Sequence, residues 1–167
     1  MKVKPTAERN ATESDQIGQA YDRLVSSLYE HEDAGRARSF ADRLEQLLTQ
    51  NGTEVGSIFA EECRSLIHEA RGDLKKAIKH RENEIRLIRQ LHKLAQETGN
   101  EDFIFQQYSY ADLKDGLEIL AMLYHDVGDL GEAVKLLHES KQLCEDHGIK
   151  FDSETLLQDY ERESLTT

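Results

Sequence analysis

A chain of 167 residues with 33 acidic and 21 basic side chains carries a net charge of -12, and it has the length of one domain able to bury a core. That charge argues against DNA, RNA and anionic membranes as partners, because phosphate-dense surfaces reward basic ones. The absence of Trp and the single proline, Pro5, argue against sugar-stacking lectins and Pro-rich linkers.

The polar residues 1–12 are expected to form a disordered tail. The opening MKVKPTAERNATES is charged but lacks the apolar stretch of a secretory signal. No run of about 18 apolar residues follows, so no membrane span is expected. Cys63 and Cys144 stand far apart, and two such thiols fit a reduced, cytoplasmic protein without a structural disulfide.

Beyond the tail, Gly35, Gly52, Gly72, Gly99, Gly128 and Gly148 separate stretches rich in Leu, Glu, Lys, Arg, Gln and Ala. Those residues favour helix, and strand signals are missing. Ile17, Ala20, Tyr21, Leu24 and Leu28 recur every three or four residues and predict a helix over 13–33. Ala37, Phe40, Ala41, Leu44, Leu47 and Leu48 predict the next over 36–50. Phe59, Ala60, Cys63 and Ile67 place a third over 54–71. Leu74, Ala77, Ile78, Ile85, Ile88, Leu91 and Ala95 place a fourth over 73–98. Leu113, Leu117, Leu120, Ala121 and Tyr124 mark 102–127, and Leu130, Ala133, Val134, Leu137 and Cys144 mark 129–147. A short seventh helix over 153–163 closes the chain. The expected fold is all-α, a single domain over 13–163. Its short connections predict antiparallel hairpins at 13–50, 54–98 and 102–147.

Two turns share a motif: Gly72-Asp73-Leu74 and Gly128-Asp129-Leu130, each three residues before an alanine, Ala77 or Ala133. Glycine can end one helix in the left-handed conformation, and aspartate can cap the next. A larger residue than alanine would push the two helices apart. Residues 117–145 resemble a tetratricopeptide repeat (TPR). Leu117, Leu120, Ala121 and Tyr124 stand at that family's positions on its first helix, and Ala133, Leu137 and Ser140 at those on its second. The unit around Gly72 departs from the pattern, carrying Arg81 and Glu84 where apolar and small residues belong. Its offset to the next unit is 56 residues, against about 34 in the family. The resemblance implies a short right-handed solenoid of about six main helices plus the C-terminal cap.

In such a stack the first helix of each hairpin lines a concave face. The resemblance then places Asp115, Glu118, Ile119, Met122, His125 and Asp126 of the last unit there, with Glu62 and Glu69 of the second. A lining that is acidic at its edges and apolar in its middle favours a basic or amphipathic peptide or helix of another protein. Asp115 and Ile119 stand where relatives that clamp acidic C-terminal tails carry Lys and Asn, which argues against that binding mode. The same side chains would also suit an ordinary solvated helix face. The expected role is therefore a non-enzymatic adaptor.

Two features support an alternative, a self-associating helical regulatory protein. Residues 71–93 hold eight basic and three acidic side chains, with Lys75, Lys79, Arg86, Arg89 and Lys93 near one stripe. Phe103, Phe105, Tyr108 and Tyr110 cluster within eight residues, as packing between long helices or as an interface would require. A basic helix and an acidic groove on one molecule would also permit a homo-oligomer.

Chemistry has little to stand on. No phosphate loop, nucleophile elbow or zinc motif is present. Cys63 with His68 and Cys144 with His147 are the nearest ligand pairs, but both cysteines fall on apolar helix faces. No catalytic residue, metal or cofactor is expected.

Overall fold

The computed structural model describes residues 13–51, 56–100 and 107–166. Among these residues it has seven helices and no strand. They are α1 (Glu13–Tyr29), α2 (Ala34–Asn51), α3 (Ser57–Ala70), α4 (Leu74–Thr98), α5 (Tyr110–Asp126), α6 (Leu130–His147) and α7 (Glu154–Ser164). No helix among the described residues is long and apolar enough to cross a membrane.

The expected boundaries shift by up to three residues at most helix ends and by more at two. The first helix ends at Tyr29 rather than at residue 33, because Glu32 takes a positive φ of 48°. Asp33 then accepts from the Arg36 amide and starts α2. Helix α5 begins at Tyr110, residues 107–109 ahead of it not being helical, and the part of the expected span at 102–106 lies outside the described residues. Ser109 and Asp112 form a capping box there: the Ser109 side chain accepts from the Asp112 amide, and the Asp112 carboxylate accepts from the Ser109 amide at 2.6 Å. Both donors that the first turn would leave open are thereby satisfied.

The two Gly-Asp turns have the same hydrogen-bond pattern. Gly72 and Gly128 sit at φ 76° and 84°. The Asp73 amide donates to the His68 carbonyl, and the Asp129 amide to the Tyr124 carbonyl. Each aspartate then caps the following helix, accepting from the amide of Lys76 or Glu132. Ala77 and Ala133 are fully buried one turn later, which lets the helices of each hairpin close together.

Packing is strongest within the pairs α1–α2, α3–α4 and α5–α6, and the remaining contacts run mainly between consecutive helices. One apolar cluster joins α1, α2 and α3 around Leu24, Leu44 and Leu66. A second joins α4 to α7 around Ile88, Leu117, Leu137 and Tyr160, and it includes Ile58. Where α5 crosses α4, a Cβ on Gly116 would lie 3.4 Å from Ile85, so the absent side chain permits a close approach.

Candidate functional site

The α3–α4 hairpin buries a charged centre between the two apolar clusters. Arg81 and Glu84, one turn apart on α4, are 1% and 4% exposed. Nη1 of Arg81 donates to Glu84 Oε2 at 2.6 Å and lies 3.9 Å from Glu62 Oε1 on α3. Nε and Nη2 of Arg81 are buried and have no hydrogen-bond partner. These two nitrogens form one edge of the guanidinium, the geometry that donates to a paired or carbonyl acceptor. Leaving such donors open in a buried site costs about 1–3 kcal/mol each.

Two tyrosines of α1 complete the centre. Tyr21 donates its hydroxyl to Glu62 at 2.5 Å, and Tyr29 donates to Glu69 at 2.7 Å. Burial pushes the Glu84 carboxyl up to about 7; Arg81 opposes this and Glu62 adds to it. Burial also raises Glu69, with the Tyr29 hydrogen bond opposing. Burial disfavours the charge on Arg81, but Glu84, Tyr29 and Glu62 outweigh it and keep the guanidinium protonated.

This centre borders a cleft of about 240 Å³. The cleft is lined by Tyr21 of α1, Glu62 of α3, Arg81, Glu84 and Ile88 of α4, and Asp112, Asp115, Gly116 and Ile119 of α5, with Tyr108 just ahead of α5. One cation thus faces four carboxylates, beside the apolar side chains of Ile88 and Ile119.

Three of the residues expected on the concave face meet here: Glu62, Asp115 and Ile119. Asp115 is open to solvent and accepts from Lys114 at 3.2 Å. Glu69 is tied to Tyr29 beyond this cleft. Glu118 is turned toward α6 and accepts from Ser140 at 2.9 Å and Ser153 at 2.8 Å, with Lys114 at 3.4 Å. His125 stacks on Tyr160 of α7 with ring centroids 4.2 Å apart, and its Nε2 lies 3.1 Å from Glu163. Met122 is half-buried and Asp126 exposed on the same stretch of α5. The sequence does not single out Tyr21, Arg81 or Glu84 as parts of a site, and it offers Tyr108 only for the alternative interface. Its signal for two of them was the break in the repeat pattern at Arg81 and Glu84.

On the alternative interface, Lys75, Lys79, Arg86, Arg89 and Lys93 are all exposed along α4. Arg89 is engaged by Glu139 of α6, and Lys93 lies 3.8 Å from Glu97. The Tyr108 carbonyl accepts from His92 at 2.8 Å, and the Tyr110 ring stacks on His147 at 3.5 Å. Phe103 and Phe105 lie outside the described residues. Cys63 and Cys144 are buried free thiols. Burial pushes the Cys63 thiol up to about 12. Among the described residues, no group of three or more His, Cys, Asp or Glu side chains is placed to hold a metal ion.

Set against known proteins, the chain matches no family model, no curated protein and no solved structure.

Proposed function

We propose that this chain is a non-enzymatic cytoplasmic adaptor, a short TPR-like right-handed stack that holds a basic or amphipathic segment of a partner protein. The observation that carries this reading is the cleft between α3 and α5, with four carboxylates to one arginine and Ile88 and Ile119 beside them. Carboxylates at the rim steer a basic chain toward the cleft, and the isoleucines give it an apolar anchor. The packing of each helix mainly on its neighbours in sequence supports the stacked arrangement.

The self-associating alternative has less behind it. Arg89 is committed to Glu139, and Tyr110 to His147, within the chain.

The test is fluorescence anisotropy with a labelled, blocked peptide of lysine and leucine, against its glutamate–leucine counterpart. The lysine peptide should bind, salt should weaken it, and Asp115→Lys, which puts a repulsive contact in place of an attractive one, should weaken it about tenfold or more. Equal binding of both peptides, or indifference to Asp115→Lys, would refute the assignment.

A further inference from the structure

The cleft makes two opposite demands on a ligand. Its carboxylates call for a cation. Arg81 lines it as well, and the buried Nε and Nη2 of that side chain, which have no partner, call for an acceptor. A polyamine brings cations but no acceptor. A free carboxylate or an acidic peptide brings an acceptor but meets Glu62, Asp112 and Asp115. A basic peptide brings both, because each lysine or arginine side chain sits beside a main-chain carbonyl.

We infer that the cleft admits one lysine or arginine side chain of the bound segment, its cationic head against Glu84 and Glu62, with a neighbouring main-chain carbonyl on the free edge of Arg81. This deepens the adaptor reading and rests on it. At about 240 Å³ the cleft is smaller than the 300–1,000 Å³ of sites for drug-sized ligands, so it suits a single residue. Tyr108 and Ile88 flank the path of the aliphatic stem.

Binding is coupled to a proton. Glu84 faces Tyr21 of α1, Glu61 and Glu62 of α3, Arg81 on its own helix, and Asp112 and Asp115 of α5 beside Tyr108. Burial raises its carboxyl to about 7, so a proton is held there into the neutral range. A cationic head beside it favours the carboxylate and expels that proton.

Isothermal titration calorimetry with the blocked lysine–leucine peptide tests this, in two buffers of different ionisation heat. Wild type should release a fraction of a proton near neutral pH and bind about tenfold more tightly at about pH 8 than at about pH 6. Glu84→Gln, which has the shape of the protonated side chain, should bind about tenfold more weakly at the higher pH and show no pH dependence. Arg81→Lys keeps the charge but loses the two-nitrogen edge. It should weaken the peptide and leave spermine unchanged. Glu84→Gln carries the test by itself if Arg81→Lys loses its helical circular dichroism. Identical affinity and pH profile in wild type and Glu84→Gln would overturn the inference, while a surviving effect of Asp115→Lys would keep the adaptor reading. Spermine bound as tightly as the peptide would overturn the role of Arg81. Absence of peptide binding to wild type would overturn both readings.

Discussion

Replacing Glu84 by glutamine should make the protein more stable above neutral pH, although it removes one partner of a buried ion pair. Glu84 is 4% exposed, and burial lifts its carboxyl from 4.5 to about 7. The native state therefore keeps a proton through a range in which the unfolded chain has lost it. Within that range the native state binds more protons, so stability falls as pH rises from about 4.5 through about 7. A shift of this size, at 1.36 kcal/mol per pH unit, removes about 3 kcal/mol by about pH 8. Glutamine has no proton to lose. At low pH the two proteins differ only by an amide in place of a neutral acid, so their stabilities should be similar. Their difference should then grow to about 3 kcal/mol in favour of Glu84→Gln. Glu69 is also raised by burial, but it is present in both proteins and cancels. Urea unfolding followed by helical circular dichroism, at a series of pH values, reads the difference directly. A gap that stays constant or reverses with pH would mean that Arg81 holds Glu84 ionised in the ordinary range, and would refute the reasoning.

Three further outcomes follow from the packing and the turns. Leu137→Ala, at a fully buried position of α6, should cost about 2–5 kcal/mol in denaturant unfolding; a loss under about 1 kcal/mol would show that the site collapses around the smaller residue. Asp129→Ala removes the acceptor that caps α6 and should cost about 1 kcal/mol, while Gly128→Ala, at φ 84°, should cost about 1–2 kcal/mol through backbone strain. Cys63 should resist thiol reagents in the native protein and react on unfolding, because it is both buried and held near 12. Rapid native labelling would show that α3 and α4 part readily.

The helices and the Gly-Asp turns were legible because their determinants are local. Leu113, Leu117 and Leu120 share a helix face wherever that helix sits, and Asp129 reaches the Glu132 amide only three residues away. The start of α5 was equally local, since Ser109 and Asp112 spell a capping box, although the expected boundary stood at 102. The site was less legible. Asp115 and Glu118 are two acids one turn apart on the same helix. Ser140 and Ser153 take Glu118 into the fold, while Asp115 stays open beside the cleft.

The sequence by itself determined an all-helical chain, the order of its hairpins and the turns that join them, because periodicity, propensity and capping act within a few residues. Only the tertiary structure decided that Arg81 and Glu84 form a buried charged centre. Around them stand Tyr21 and Glu62 from earlier helices, with Asp112 and Asp115 of a later one lining the same cleft. The charge state of a side chain and the partners left to it are set by which distant groups the packing brings within a few ångströms, and helical spacing carries no record of that.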